Sequence, residues 1–375
     1  MKKALKITLI SLASIVGLFL VTVGIVCLMV FTPARLTKIV NKEVPKFITC
    51  NFHIDKAELT LFKTFPYVGL DIHQVTLLNP MFCSPSDTLL HVDNCTAAIN
   101  LRELLKNNKI EVRTLQLEDG YANLFINKAG QNNFTIFKTD TTSTTEFNYA
   151  VDLQKISTKN VRVKFTDVQD GLVADLTGLD MLLKGTWENK NADGKVDISS
   201  DKFTFYTLDS NAVNVRYKDM AFKFKGNMQD LKKVNGDLDL TLEELIFHVG
   251  DNSYLDSADI HITSDLDLSL ADQKISLKDL LLKIDEYQLN VNGTAKRDSA
   301  TGDIAMDLNY KTQKWPLKEA LAMIPRAIIG DALDNLDLDG KLGLSGKIKG
   351  HYNDNQLPLV HDNFSSGRKC KVFRR

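Results

Sequence analysis

An excess of charge of either sign is lacking in this chain, and cysteine and proline are scarce. The 375 residues carry 46 Lys and Arg against 47 Asp and Glu, so the formal net charge is −1. This balance provides no basic surface for nucleic acid, and we expect no nucleic-acid partner. The 5 Cys, 20 Gly and 8 Pro are too few for a disulfide-dense scaffold or a collagen-like chain. A composition with 44% hydrophobic and 25% charged residues is typical of globular proteins.

Recognisable catalytic and cofactor motifs are also lacking. The sequence contains no G-x-S-x-G nucleophile turn and no G-x-x-x-x-G-K-[ST] or G-x-G-x-x-G phosphate loop. Its 7 His show neither H-x-x-x-H spacing nor neighbouring Cys ligands, so zinc is unsupported. Asp237, Asp239, Asp265 and Asp267 alternate with Leu, which indicates the solvated face of strands rather than an acid–base pair. We therefore expect no enzymatic activity, no metal and no cofactor.

A long apolar run is present at the N-terminus. No charged side chain occurs from Ile7 to Phe31, a length sufficient to cross the hydrocarbon core of a bilayer. A cleaved signal peptide would have a shorter apolar stretch and a small-residue cleavage site, which is absent. Residues 1–31 are therefore predicted to be a cytoplasmic stub and a transmembrane signal anchor. The stub is short, so the simpler topology keeps it in the cytoplasm and exports the remainder.

In the residues after this run, the spacing of apolar side chains first predicts a helix and then changes to a period of two. Thr32 and Pro33 supply an N-cap and an N1 proline, and apolar residues follow at helical spacing up to Pro45. Runs such as Leu238–Leu242 and Leu266–Leu270 then alternate with polar residues, which is typical of half-buried antiparallel strands. Asp-Gly and Asn-Gly dipeptides predict hairpin turns at 119–120, 170–171, 193–194, 235–236, 292–293 and 339–340.

The predicted organisation is mostly β, in the α+β class, with few short helices. Beyond the first helix, short helices are predicted at Leu101–Lys106 and from Pro316 to Ile328. An α+β region at 32–137 is followed by a Thr-rich linker or loop at 138–147. Repeating antiparallel strands at 148–350 follow, and then an irregular basic tail at 351–375. This tail is interpreted as a truncated end, or alternatively as a basic segment that contacts anionic lipid or another chain.

The cysteines after the apolar run contain no C-x-x-C pair. Unpaired, partly buried thiols are expected at Cys50, Cys83, Cys95 and Cys370. A bridge between Cys83 and Cys95 is the alternative.

The apolar faces of so many strands need a covering layer, and the sequence offers few helices to supply it. Either two sheets face each other in a filled sandwich or barrel, or one curved sheet lines an apolar groove. The alternation is compatible with both. The period of two places the following residues on apolar faces: Leu238, Leu240, Leu242, Ile260, Ile262, Leu266, Leu268 and Leu270.

Several segments occur in a particular order along the chain. The apolar run and the Pro33 helix are followed by Leu61–Ile72 (LFKTFPYVGLDI), Asn100–Leu105 (NLRELL), Ile110–Leu124 with its D-G-x-x-N turn, Gly130–Phe134, Asn160–Asp167 and Trp315–Pro325. Their order resembles that in the AsmA-like family of Gram-negative envelope proteins, although Tyr121 and Ala122 replace a frequent Pro.

The resemblance implies a chorein-like N-terminal region and repeating β-groove modules, an architecture associated with moving lipids between membranes and with outer-membrane assembly. It favours a groove over a filled sandwich. The leading hypothesis is a non-enzymatic protein with a single span in the inner membrane and its bulk in the periplasm. It would bind or conduct phospholipid acyl chains along the groove and support outer-membrane assembly and lipid homeostasis.

Under this hypothesis the eight Leu and Ile residues named above are the candidates for the lipid-binding groove. The expected partners are membrane phospholipids and other envelope proteins. The alternative is a membrane-tethered structural or interaction protein with a filled β-sandwich core and no lipid cavity.

Overall fold

The structure is a computed structural model that describes residues 32–60, 64, 67–99, 110–138, 149–188, 190–209, 212–316, 336–353 and 359–374. Within these ranges the only α-helix is α1 (Pro33–Glu43), and a 3-10 turn follows it over Val44–Lys46. All other regular structure there is β. The strands are β1 (Phe52–His53), β2 (Lys56–Thr60), β3 (Val68–Leu78), β4 (Thr88–Ile99), β5 (Ile110–Ile126), β6 (Tyr149–Asp167), β7 (Leu172–Glu188), β8 (Asn191–Ser200), β9 (Lys202–Thr207), β10 (Val213–Tyr217), β11 (Asp219–Gln229), β12 (Lys233–Val249), β13 (Asn252–Ser269), β14 (Lys274–Ile284), β15 (Tyr287–Arg297), β16 (Ile304–Thr312), β17 (Trp315–Pro316), β18 (Leu336–Tyr352) and β19 (Leu359–Arg374).

The chain divides into two compact units. The first comprises Met1–Gly120 and Asn133–Leu153, and the second comprises Tyr121–Asn132 and Gln154–Arg375. The mostly β class and the scarcity of helices predicted from the sequence are confirmed for the described residues. No helix among them is long and apolar enough to cross a membrane, and the run Ile7–Phe31 lies outside them.

In the first unit, α1 packs against β2 through a small apolar core. Leu36 contacts Ile54 and Ala57, which are 1% and 0% exposed. Asn41 fixes the helix to the sheet, because its Nδ2 donates to Ile54 O (3.1 Å) and its Oδ1 accepts from Ile54 N (3.0 Å). The apolar spacing after Pro33 thus predicted this helix correctly, since one face of the helix must be buried.

The second unit contains a long antiparallel meander. β6 pairs with β7, which pairs with both β8 and β9. β8 and β9 therefore act as two halves of one long strand, as do β10 and β11, which both pair with β12. From β12 to β16 each strand pairs with the next, and β18 pairs with β16, β17 and β19. The result is one large curved sheet rather than two sheets packed face to face.

Irregularities in the middle of the strands account for the curvature. Non-glycine residues with positive φ occur inside strands at Asn160, Glu244 and Asp279. The pairing shifts register beside each of these positions, as expected for β-bulges, which bend a strand and increase its twist. A carboxylate or amide on the neighbouring strand accepts the N–H of each bulged residue. These bonds join Asn160 N to Asp180 Oδ1 (2.6 Å), Glu244 N to Asp259 Oδ1 (3.0 Å) and Asp279 N to Asn292 Oδ1 (2.7 Å).

Five of the six dipeptides predicted to form hairpin turns lie inside strands, so the prediction was wrong there. Only Asp170-Gly171 occupies a turn, between β6 and β7. The other glycines are Gly120, Gly194, Gly236, Gly293 and Gly340. At Gly194 an added Cβ would lie 2.4 Å from Lys184 O on the neighbouring strand, so glycine permits a close approach of backbones instead of a turn.

The C-terminal segment also differs from its prediction. Residues 351–375 were expected to be irregular, but β19 spans Leu359–Arg374 and pairs with β18 from Leu336 to Lys349. Backbone hydrogen bonds to a neighbouring strand do not require alternating side chains, so pattern analysis missed this strand.

Several other predicted elements lie outside the described residues. They are the Leu101–Lys106 helix, most of the Thr-rich segment at 138–147 and the helix from Leu317 onward, whereas Pro316 itself ends β17.

Candidate functional site

The predicted groove residues meet at the pairing of β12 with β13. Leu240 lies opposite Ile262, and Leu242 lies opposite Ile260. On the same face, Leu238 pairs with Ser264, Leu266 pairs with Gly236, and Leu268 pairs with Val234. They share this face because directly opposed residues of antiparallel strands point the same way. Leu270 differs from the others, since it follows the last residue of β13 and is 50% exposed. The structure therefore brings seven of the eight candidates onto one face.

This apolar face is only partly covered. Ile260 is buried at 7% exposure, whereas Leu238, Leu240, Leu242, Ile262, Leu266 and Leu268 are all intermediate. In a filled sandwich most of these side chains would be fully buried between two layers. Their partial exposure matches the single curved sheet and fits a filled core in these strands less well.

The strand register extends the apolar face well beyond the predicted residues. Leu240 pairs on one side with Phe222 and on the other with Ile262, and the succession of cross-strand partners continues in both directions. We call this set the apolar row: Met181, Ile198, Phe222, Leu240, Ile262, Leu282 and Leu289. All seven side chains are half-buried.

Sequence reasoning missed five members of this row. Phe222 and Ile198 lie in alternating segments, so the period-two rule could have found them. Met181 is part of the continuous apolar stretch Met181–Leu183, in which alternation gives no signal for the face. Which residues become neighbours across strands depends on the register, and no local pattern specifies that.

Glycines flank the apolar row on the same face. Gly185, Gly194, Gly226 and Gly236 are successive cross-strand partners on β7, β8, β11 and β12. The ring of Phe224 extends over the last two, because its Cζ lies 2.8 and 2.7 Å from the positions that their Cβ atoms would occupy. The face is therefore lined by backbone and one aromatic ring at this level of the strands.

A second set of apolar partners lies on the other side of the strand irregularities. It consists of Phe165, Ala174, Phe205, Val215, Phe247 and Leu255. Nearby, the rings of Phe203 and Tyr217 stack with centroids 5.3 Å apart, and the Tyr217 hydroxyl is within hydrogen-bond distance of Ser200 Oγ (2.9 Å). Burial raises the pKa of Tyr217, so its hydroxyl is neutral at physiological pH.

The charged side chains of these strands lie on the opposite face. Lys225, Asp237, Asp265 and Lys278 are successive cross-strand partners and are all exposed. Nε2 of His261 and Oδ1 of Asp239 are 3.1 Å apart on the same side. The acidic residues that alternate with Leu are thus on the polar face of strands, as the sequence predicted, and the apolar row contains no charge.

The part of the chain that the structure describes has no group of three or more His, Cys, Asp or Glu side chains that could hold a metal ion. Open clefts of ≈ 510 and ≈ 350 Å³ are lined mainly by polar residues, among them Asp193 and Asn227, and neither includes a residue of the apolar row. Cys50, Cys83 and Cys95 have free thiols, so the alternative bridge between Cys83 and Cys95 is absent.

Comparison with known proteins assigns the chain to a family. The model of the AsmA family matches residues 1–314, and the chain belongs to this family. Membership associates it with the bacterial cell envelope. No curated protein and no solved structure matches the chain.

Proposed function

We propose that this chain is a non-enzymatic envelope protein that binds or conducts phospholipid acyl chains along the apolar face of its second unit. In this proposal Ile7–Phe31 anchors the protein in the inner membrane, and the bulk of the chain is periplasmic. The observation that supports it is the apolar row, which crosses seven paired strands without a charge and stays only half-buried. A function in outer-membrane assembly and lipid homeostasis would follow from such transport.

The length of the apolar row suits an acyl chain. Seven strands spaced ~4.8 Å apart extend the row over about 29 Å. The hydrocarbon core of a bilayer, which contains two acyl chains end to end, is about 30 Å thick. A single acyl chain therefore spans about half of the row. The other half leaves room for the acyl chain to move along the row.

The apolar face is sufficient to hold an acyl chain without specific polar contacts. Transfer from water contributes about 0.8 kcal/mol per buried CH₂, so a chain of about 16 carbons gains on the order of 12 kcal/mol before ordering costs. Even partial burial leaves a favourable balance. The charged residues of the opposite face, such as Lys225 and Asp237, keep the outside of the sheet in water.

Site-specific photo-crosslinking tests this function directly. A photoreactive amino acid at Leu240 should crosslink to phospholipid in membranes of producing cells. The matched control is the same amino acid at Thr241, the next residue, which points to the polar face. Lipid adducts at position 240 and none at 241 support the proposal. Equal crosslinking at both positions, or none at either, would overturn it.

Lipid extraction supplies a second, independent measurement. The protein is solubilised in detergent, depleted of detergent and analysed by mass spectrometry. Stoichiometric phospholipid is the expected result, and its absence would favour a structural or interaction protein. The proposed topology is tested by a reporter fused after Gly350, which should be active only when exported.

A further inference from the structure

The exposed flank of α1 and the 3-10 turn after it carry a stripe of cations. Arg35, Lys38, Lys42 and Lys46 are spaced three or four residues apart and are all exposed. An α-helix turns 100° per residue, so this spacing places Arg35, Lys38 and Lys42 on one flank of α1, away from Leu36, which packs against the sheet. Lys46 follows in the 3-10 turn. We call these four residues the basic stripe. Glu43 lies beside it, with its Oε2 2.5 Å from Lys46 Nζ.

Exposed apolar side chains adjoin the basic stripe. Ile39 on α1 is 52% exposed, and Phe47, just after the 3-10 turn, is 41% exposed. Phe137 is 75% exposed and belongs to the segment that pairs with the residues just after this turn, since Ile48 and Phe137 form an antiparallel bridge and Lys138 N donates to Phe47 O (2.9 Å). The ammonium group of Lys138 also lies beside the 3-10 turn, where its Nζ donates to Pro45 O (3.0 Å).

We infer that the basic stripe and these three apolar side chains form a surface that lies on an anionic phospholipid bilayer. The helix would lie in the plane of the membrane, with its cations at the headgroups and Ile39, Phe47 and Phe137 inserted at the level of the acyl chain boundary. This combination of basic and aromatic or aliphatic side chains is typical of interfacial helices.

The position of the surface along the chain favours a membrane as its occupant. The uncharged run Ile7–Phe31 ends with only Thr32 between it and Pro33, the first residue of α1. α1 is about 16 Å long at 1.5 Å per residue, so a bilayer that contains the run is close to the whole stripe.

A second copy of the chain suits the surface less well. In a two-fold interface the same patch meets itself, which would place the basic stripe of one copy against that of the other. Anionic headgroups instead provide the complementary charge.

The inference rests on the membrane anchor in the proposed function, but it does not require the acyl-chain site. Its experiment reports on the first unit, whereas crosslinking at Leu240 reports on the second. The two can therefore fail separately, and a chain that did not reconstitute into nanodiscs at all would indicate failure of the anchor.

Fluorescence quenching by brominated lipids in nanodiscs tests the inference on the full-length chain. Phe137→Trp adds a fluorophore at the surface, and the emission of the parent protein, with its own Trp187 and Trp315, is subtracted. In anionic nanodiscs with brominated acyl chains we expect the added emission to be blue-shifted and quenched. Raising the salt concentration should reduce the quenching, because exposed charges are screened.

The matched control is Leu208→Trp in the second unit, where the native side chain is 68% exposed and Asp209 follows. Its emission should be the same with and without brominated lipid. Lys38, Lys42 and Lys46 are replaced by Gln in the Phe137→Trp background. The ratio of the membrane-bound to the unbound state of this surface should then fall by about fivefold for each cation removed. Circular dichroism verifies that this variant is folded, and the comparison of anionic with zwitterionic nanodiscs needs no charge variant.

Three outcomes would overturn the inference. One is unquenched emission from Phe137→Trp in anionic nanodiscs. Another is equal quenching of Leu208→Trp. The third is a blue shift that depends on protein concentration and not on lipid, which would assign the surface to a second copy of the chain.

Discussion

Gly226 on β11 lies directly opposite Gly236 on β12, with the ring of Phe224 over both residues. An added Cβ at Gly226 would be 2.1 Å from Asn235 O, and one at Gly236 would be 2.4 Å from Lys225 O. These contacts are with backbone atoms of the neighbouring strand, which cannot move without shifting the pairing. The two glycines therefore set how closely β11 and β12 approach on the apolar face.

Gly226→Val should destabilise the second unit by about 2 kcal/mol, because the side chain is forced against backbone and against Phe224. The urea midpoint measured by circular dichroism checks this. Gly250→Asn is the control, since no atom beyond the adjacent residues lies within 4 Å of the Cβ position at Gly250 and its φ of +56° is one that Asn tolerates. An equal midpoint for the two variants would show that the close approach is not required.

Leu240→Asp and Leu268→Asp should both fold and lose bound lipid. On a half-buried face the carboxylate keeps contact with water when no lipid is present, whereas complete burial without a partner would cost several kcal/mol. Urea unfolding measures stability, and mass spectrometry measures the co-purified lipid. Leu208→Asp, at an exposed position outside the apolar row, should retain lipid. Failure of both Leu240→Asp and Leu268→Asp to fold, or normal lipid binding by both, would refute the groove assignment for these strands.

The bulge at Glu244 should depend on Asp259. Asp259 Oδ1 accepts a hydrogen bond from Glu244 N (3.0 Å). Asp259 N donates to Asp285 Oδ1 (2.8 Å), and Asp285 N donates back to Asp259 O (2.8 Å). Asp259→Ala should cost about 1 kcal/mol and speed hydrogen exchange at the Glu244 amide. Asp259→Asn should recover most of this loss because its amide oxygen still accepts. Asp256→Ala, at an exposed position on the same strand, is the control and should leave that amide protected.

Thiol reactivity should separate Cys95 from Cys83. Burial, with a smaller contribution from the nearby Asp71 carboxylate, raises the pKa of Cys95 to about 11. At pH 8 only about a thousandth of such a thiol is the reactive thiolate. Iodoacetamide followed by peptide mass spectrometry should therefore modify the exposed Cys83 in the native protein and Cys95 only after unfolding in urea. Rapid native labelling of Cys95 would contradict the partly buried position of this thiol in β4.

Asp175 should make a small, acid-sensitive contribution to stability. Two hydrogen bonds from Arg162, at 2.9 and 2.6 Å, hold the pKa of this carboxyl below its ordinary value. A depressed carboxyl pKa stabilises the fold above the ordinary value, and the contribution is lost as the pH falls through the lower, folded-state pKa. Arg162 is largely exposed, so we expect less than about 1 kcal/mol.

The measurement compares the urea midpoints of the wild-type protein and Asp175→Asn. The difference should be present at pH 7, shrink towards pH 3 and decrease in high salt. A difference that grew at low pH would have the wrong sign for this ion pair.

The extent to which the site was predictable differs between residues. Leu240 and Ile262 were both assigned to apolar faces by alternation, and the structure makes them direct partners. The same rule failed for Leu270, because it does not locate the end of a strand, and β13 ends at Ser269. It gave no signal for Met181, which lies in a continuous apolar stretch.

The glycine dipeptides illustrate a different failure. Asn235-Gly236 is typical of a tight hairpin, yet it lies inside β12. A positive φ or a turn is only one reason for glycine, and a close strand neighbour is another. The second reason depends on Gly226, which is ten residues away in sequence and becomes adjacent only in the sheet.

The sequence by itself determined the elements that depend on near neighbours: helix α1, which begins at Pro33, and the apolar and polar faces of β12 and β13. Helical spacing and alternation are properties of a few consecutive residues, so local patterns are enough to specify them. The tertiary structure decided which strands are neighbours, where Asn160 and Glu244 form bulges, and that a single curved sheet leaves the apolar row only half-buried. Register and curvature arise from hydrogen bonds between different strands, such as the bond from Glu244 N to Asp259 Oδ1. These bonds form only when the strands pair.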